Sequence, residues 1–183
     1  MPIHGAAQCD ASDELFSLLL EHGAELEDAR NDFDRTPLNR AVSCNSAHSC
    51  AFLLDHGADM NRLNREGDTP MFEAVMKNSH ACIELLISRG ADYRRVKGRQ
   101  TVLHIAAMRG DQRTFEILTA AGMEGVNVNA RDGEGRTAMG LLAGRVGMPT
   151  ETLAAFDKLL ASLNPEVAEG TCEEEFSDAV EYM

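Results

Sequence analysis

Residues 36–59 read TPLNRAVSCNSAHSCAFLLDHGAD, and close copies of this stretch follow it along the chain. Residues 69–92 read TPMFEAVMKNSHACIELLISRGAD, and a looser copy begins with TVLHIAA at residues 101–107. The threonines that open the copies, with a last one at Thr137, are spaced by 33, 32 and 36 residues. The glycines that follow each Leu-Leu pair or its equivalent are spaced by 34, 33 and 32 residues. Two markers with one period indicate a protein built from stacked repeats.

Each copy predicts a pair of helices. Threonine is a good N-cap residue, and the proline after it, as in Thr36-Pro37, suits the first helical position, where no N–H is needed. The first helix carries small residues such as Ala41 and Val42, which let neighbouring helices pack closely. The second carries apolar residues at helical spacing and ends at a glycine that suits a left-handed C-cap. The sequence therefore predicts an all-α chain of helix-turn-helix units.

The pattern resembles the ankyrin repeat, in which a turn precedes Thr-Pro-Leu-His-x-Ala and a second helix ends in Leu-Leu-x-x-Gly-Ala-Asp. Residues 36–41 and 101–107 match the first motif, and Gly57-Ala58-Asp59 and Gly90-Ala91-Asp92 match the second. The resemblance implies an ankyrin-repeat solenoid with short hairpin-like turns.

We expect a repeat domain over residues 1–164, followed by an acidic tail over residues 165–183. The expected units are about 1–29, 30–62, 63–95, 96–130 and 131–164. The first unit lacks the turn before its motif, so either its start frays or it belongs to a longer array. The fifth is divergent and glycine-rich, with a second helix that starts after Pro149-Thr150 and runs to about Leu163, and is interpreted as a C-terminal cap.

Composition excludes several classes of protein. The chain has 183 residues and a net charge of −13, which argues against nucleic-acid binding and against an anionic membrane surface. No apolar run approaches the ~20 residues of a membrane span, and we find no signal-peptide pattern. Five cysteines without a CxxC pair argue against a disulfide framework. We therefore expect reduced thiols, a cytoplasmic or nuclear location, and a monomer.

Charge is unevenly distributed along the chain. Residues 1–29 and residues 165–183 each hold seven acidic residues and no lysine or arginine, whereas residues 30–164 are close to neutral. Many basic residues of the middle fall at the turns, which line up along one edge of a solenoid. We name five of them, Arg65, Arg94, Arg95, Lys97 and Arg99, the basic turn ridge. The ridge is interpreted either as a docking surface for an acidic partner or as an ordinary solvated face.

Candidate catalytic and metal-binding groups are few. His22 and His56 share one repeat position, and His4 and His104 share another, where the resemblance implies a bridge to the neighbouring turn. We interpret all four as structural. The group Cys44, His48 and Cys50 lacks a fourth ligand and a usual zinc spacing, and no P-loop, Gly-x-Ser-x-Gly or His-Glu-x-x-His motif occurs. We expect no enzyme activity, metal site or cofactor, although an enzyme with a converging His, Asp and Cys pocket stays a minor alternative.

The resemblance implies recognition of a protein or acidic peptide segment through the turn tips and the concave face formed by the first helices. Phe33, Met76 and Met108 are expected to be apolar anchors. The predicted contact residues are Phe33, Arg35, Arg40, Arg65, Glu66, Asp68, Met76, Arg94, Arg95, Lys97, Arg99, Ile105, Met108, Arg109 and Arg136.

Two alternatives stay open for the chain and its tail. The chain is alternatively a regulatory or structural segment of a larger multidomain protein, with its acidic tail docking in cis. Phe176, Ala179, Val180 and Met183 give the tail a small apolar stripe at helical spacing. The tail is accordingly a cap on the last unit, a disordered acidic segment, or a recognition helix for another protein.

Overall fold

A computed structural model describes residues 2–27, 35–94, 97–145 and 147–163, and in these ranges the chain is helical with no β-strand. Lys97 and Gln100 form one isolated antiparallel bridge. The helices are α1 (Pro2–Gln8), α2 (Asp13–Glu21), α3 (Pro37–Ser43), α4 (Ala47–Asp55), α5 (Pro70–Lys77), α6 (His80–Ser88), α7 (Val102–Arg109), α8 (Gln112–Ala120), α9 (Ala138–Ala143) and α10 (Thr150–Leu163). The all-α prediction is confirmed.

The helices form two layers. The odd-numbered helices pack side by side in chain order from α1 to α9, and the even-numbered helices form a second layer, with α8 and α10 in the most extensive contact. One continuous apolar core runs between the layers along the described part of the chain. No unit buries its apolar face alone, because each face is completed by the next pair of helices.

The predicted helix boundaries follow from the capping residues. Thr36, Thr69, Thr101 and Thr137 are the N-caps of the four first-layer helices α3, α5, α7 and α9, and all four have extended backbone angles. The Thr69 hydroxyl accepts from the Phe72 N–H at 3.2 Å. The predicted left-handed glycines end the second helices, as at Gly57 with φ 92°. The N–H of the next residue, Ala58, then donates to the Leu53 carbonyl at 2.9 Å and closes the helix end.

The fifth helix pair differs in form from the pairs before it. Its first helix, α9, has only six residues and ends before Gly144, as expected for a glycine-rich segment. Its second helix, α10, has 14 residues and begins at Thr150. Phe156 and Leu159 of α10 are fully buried, and α10 packs against α8. The tail predicted over residues 165–183 lies outside the described residues.

Candidate functional site

The turn tips are held rigidly by buried Asn and Asp side chains. Asn64 Oδ1 accepts from the N–H groups of Glu66 and Asp68, both at 2.9 Å. Asp132 Oδ1 accepts in the same way from the N–H groups of Glu134 and Arg136, both at 2.9 Å. Asn64 and Asp132 each stand five residues before the helix-capping threonine. The sequence analysis missed these two residues, although this shared spacing was present to find them.

The basic turn ridge is mostly exposed. The side chains of Arg65, Arg94 and Arg99 lie at the surface, and Arg95 lies outside the described residues. Arg94 lies 3.7 Å from Asp92, at the edge of an ion-pair contact, whereas Arg99 forms an ion pair with no residue that the structure describes. Arg99 also has φ 72°, a left-handed conformation that projects it from a tight turn. The ridge therefore keeps part of its positive charge accessible.

Other predicted contact residues are partly neutralised. Lys97 Nζ lies 2.6 Å from the buried Asp68 carboxylate, and Arg136 donates to Asp132 at 2.9 Å. Arg136 also lies 2.8 Å from Glu134. The Lys97–Asp68 pair joins two successive turns, and the Arg136 pairs lie within one turn. Lys97 and Arg136 therefore stabilise the turns as well as adding charge to the surface.

Two predicted contact residues are buried instead of exposed. Asp68 and Ile105 are only 1% and 4% exposed. The Asp68 carboxylate accepts a hydrogen bond from the Lys97 ammonium at 2.6 Å, and this ion pair compensates the burial of its charge. Ile105 joins the core of α7. Neither side chain is available to a partner in this arrangement.

The groove along the first-layer helices is apolar in the middle and basic at its C-terminal end. Met76 and Met108 occupy the same repeat position on α5 and α7 and are half-buried against the core. Arg109 is exposed and forms an ion pair with no described residue. Arg145 donates to the carbonyls of Ala107 and Gly110 at 3.0 and 2.8 Å. Burial and then the nearby charge of Arg109 lower the pKa of Arg145.

The N-terminal end of the groove is polar and already occupied by its own side chains. The Arg40 guanidinium donates to Gln8 Oε1 at 2.6 Å. Glu73, fully enclosed on α5, accepts from the Ser43 hydroxyl and lies 3.2 Å from the Arg35 guanidinium. Phe33, the third predicted anchor, lies outside the described residues. The apolar and basic part of the groove, from α5 to α9, is thus its open part.

Glu73 is a buried carboxylate with an incomplete set of partners. Its Oε2 has no hydrogen-bond partner in the described part of the chain. Burial raises the pKa of Glu73 above its usual 4.5, and the Ser43 hydrogen bond and the Arg35 charge only partly offset this. The folded chain therefore binds a proton at Glu73 more tightly than the unfolded chain does. The contribution of Glu73 to stability therefore falls as the pH rises through 4.5 towards its raised pKa.

We predict that Glu73→Gln leaves stability unchanged or raises it by up to about 2 kcal/mol at neutral pH. Glutamine keeps an oxygen for the Ser43 hydroxyl and removes the buried charge, while Arg35 stays partly hydrated. Urea unfolding at several pH values measures the difference, which should shrink as the pH falls to 4.5. Glu66→Gln, on the exposed turn tip, is the control. A neutral-pH loss above about 1 kcal/mol would show that the pair with Arg35 outweighs the burial of the charge.

The histidines predicted to be structural make repeated contacts. His4 Nε2 and His104 Nε2 lie 2.9 and 3.2 Å from the carbonyls of Arg35 and Arg136, in the turn of the next unit. His22 and His56 each place Nδ1 2.8 Å from the carbonyl four residues earlier in their own helix. The predicted bridge from His4 and His104 to the neighbouring turn is confirmed, and His22 and His56 make the same contact as each other.

Surface grooves also lie between second-layer helices. One lies between α6 and α8 and another between α2 and α4. Cys50 and Cys82 are buried core residues, and contact with Cys82 followed by burial raises the pKa of Cys50. Over the described ranges, no three His, Cys, Asp or Glu residues group as metal ligands. None of the described helices combines the length and apolarity needed to cross a membrane.

Two family models match the chain. One, described as ankyrin repeats in three copies, matches residues 3–97, and one described as an ankyrin repeat matches residues 99–133.

Curated relatives share this region. A homolog of transient receptor potential cation channel subfamily A member 1 from Caenorhabditis elegans is 31% identical over 66% of this chain. Inversin from Gallus gallus is 28% identical over 63% of it, and the E3 ubiquitin-protein ligase KEG from Arabidopsis thaliana is 29% identical over 62%. These matches span only 10%, 10% and 7% of the relatives' own lengths.

Proposed function

Because this chain belongs to the ankyrin repeat family, whose repeats generally mediate protein–protein contacts and are generally non-catalytic, we propose that it is a non-enzymatic binding module for a partner protein. The partner segment is acidic with apolar side chains. It lies along the basic turn ridge and the open part of the concave groove. The proposal rests most on one observation: Arg99 and Arg109 are exposed cations that pair with no described carboxylate.

The groove supplies both halves of such a contact. Met76 and Met108 offer flexible apolar surface that adapts to a partner side chain. Arg109 and Arg145 at one end and Arg99 on the turns add positive charge on either side of it. In a chain of net charge −13, such local positive charge orients an acidic segment and excludes basic ones. Buried Asp68 and Ile105 are left out of the proposed contact set.

The proposal also covers location. We propose a cytoplasmic or nuclear location, because five cysteines without a CxxC pair argue against a disulfide framework.

We predict that Arg99→Glu/Arg109→Glu weakens binding of an acidic peptide by about tenfold or more. The probe is a synthetic peptide of glutamates around one leucine and one phenylalanine, titrated by fluorescence anisotropy. The matched control is Arg113→Glu/Lys158→Glu, which makes the same charge change on the second-layer helices α8 and α10. Equal weakening by both variants would mean that net charge alone governs binding, and the proposed surface would be wrong.

Salt and peptide composition separate the two parts of the surface. Binding should weaken as salt rises, because exposed charges are screened. Met76→Gln/Met108→Gln should weaken binding of the peptide that contains leucine and phenylalanine. It should leave the affinity for an all-glutamate peptide unchanged. An unchanged affinity for both peptides would remove the groove from the proposal and leave the ridge.

A further inference from the structure

Two leucines of the first helix pair are exposed on one side of α2. Leu15 and Leu18 are 43% and 50% exposed, and they stand three residues apart, so they share a helix face.

The same repeat positions are covered in the following units. Ser49, Cys82 and Thr114 correspond to Leu15 by their spacing from the C-capping glycine, and each is 0% exposed. The covering group comes from the preceding unit: Asp10 Oδ1 accepts from the Ser49 N–H at 2.8 Å, and Asn78 Oδ1 accepts from the Thr114 hydroxyl at 2.8 Å.

Leu18 follows the same rule. It corresponds to Phe52, whose ring stacks on Phe16 of the preceding unit at 4.9 Å and is buried. The face of α2 that holds Leu15 and Leu18 therefore continues the interface that joins one unit to the next. We call it, together with Glu14 and Glu21, the N-terminal face.

The N-terminal face is strongly acidic. Glu14 precedes Leu18 by four residues and Glu21 follows it by three, so both carboxylates flank the leucines on the same side of α2. Both are exposed, and the hydrogen bond from Ser12 contributes most to lowering the pKa of Glu14. The whole segment 1–29 holds seven acidic residues and no lysine or arginine. An occupant must therefore be both apolar and basic.

We propose that the N-terminal face binds an amphipathic helix whose apolar side chains are flanked by lysine or arginine. A helix fits because the equivalent face of each later unit is covered by a helical neighbour, and because Leu15 and Leu18 present apolar surface at helical spacing. Acidic segments are repelled, and a second copy of this face brings the same negative charge. This surface is separate from the basic ridge and groove, and it selects a partner of opposite charge.

The test uses the full chain and a synthetic helix-forming peptide with leucine on one face and lysine on its flanks. Leu15→Gln/Leu18→Gln should weaken its binding in fluorescence anisotropy by about tenfold or more, since two half-exposed leucines lose their apolar contact. The control, Leu63→Gln/Leu153→Gln, changes two other exposed leucines and should leave the affinity unchanged. A peptide with glutamine in place of leucine should bind the wild-type chain at least about tenfold more weakly than the leucine peptide does.

Three results would overturn the proposal. One is equal binding of the leucine-faced and glutamine-faced peptides, which would mean simple charge attraction. Another is an unchanged affinity in both Leu15→Gln/Leu18→Gln and Leu15→Ala/Leu18→Ala chains, once circular dichroism shows them folded. The third is self-association in sedimentation velocity that Leu15→Gln/Leu18→Gln abolishes, which would assign the face to a second copy. Binding of the acidic peptide should be the same in all these variants, so this proposal and the proposed function fail independently.

Discussion

Phe115→Ala is expected to lower the free energy of unfolding by about 3–5 kcal/mol, the largest effect of any substitution considered for this chain. Phe115 on α8 is fully buried and meets the ring of Phe156 on α10 edge-on, with centroids 4.9 Å apart. Removing the ring leaves a cavity between α8 and α10, which pack against each other. Because a domain of this size has only about 5–15 kcal/mol of stability, α10 should undock well before the rest unfolds.

Urea unfolding followed by circular dichroism measures the loss, and hydrogen exchange locates it. Protection should fall first in residues 150–163. Phe115→Leu keeps most of the volume and should cost clearly less. A cycle with Phe156→Ala should show about 0.5–1.5 kcal/mol of coupling between the rings. A loss below about 1 kcal/mol for Phe115→Ala, or uniform loss of protection along the chain, would contradict the role given to this contact.

His104→Ala is expected to destabilise the chain by about 2–4 kcal/mol, because it leaves polar groups at two turns without partners. Nδ1 of the buried His104 accepts from the Thr101 N–H at 3.1 Å and the Thr101 hydroxyl at 2.8 Å. Nε2 therefore carries the proton and donates to the Arg136 carbonyl at 3.2 Å, in the following unit. One side chain caps its own helix and ties it to the next turn.

His104→Asn separates the two roles. Asn39 stands at the same repeat position, and its Oδ1 accepts from the Thr36 N–H at 3.1 Å, so asparagine keeps the local cap. The asparagine variant should lose roughly half as much stability as the alanine variant, through the bridge to Arg136 alone. His22→Ala, which breaks only an exposed contact inside α2, should stay within about 0.5 kcal/mol of wild type. Equal losses in His22→Ala and His104→Ala would show that the inter-unit bridge adds nothing.

Local sequence pattern predicts the exposure of some surface residues correctly and of others wrongly. Arg94, Arg99 and Arg109 are exposed as predicted from their turn and helix-end positions, where charged residues are favoured by water. Asp68 stands in the same type of position and is buried, because Lys97 from the following unit covers it. Its environment depends on a residue 29 positions away, which no local pattern contains.

The N-terminal face could be recognised only by comparing units that lie far apart in the sequence. The acidic segment 1–29 and the basic turns were visible as sequence, but the sequence did not single out Leu15 and Leu18 from the other apolar residues of α2. Their exposure became clear only beside Ser49, Cys82 and Thr114, which neighbouring units cover. A repeat protein makes this comparison possible because equivalent positions share a geometry and differ only in their neighbours.

The sequence by itself determined the repeat period and the all-α units, because the copies recur in phase along the chain. It also determined the N-caps at Thr36, Thr69 and Thr137 and the left-handed glycines that end the second helices, because each depends on residues within one turn of a helix. Only the tertiary structure decided that Glu73 is enclosed between Ser43 and Arg35, and that Asp68 and Ile105 are withdrawn from the surface. Burial and electrostatics are sums over residues brought together by stacking. A one-dimensional pattern specifies which units stack, whereas the contacts between units set the charge and exposure of each side chain.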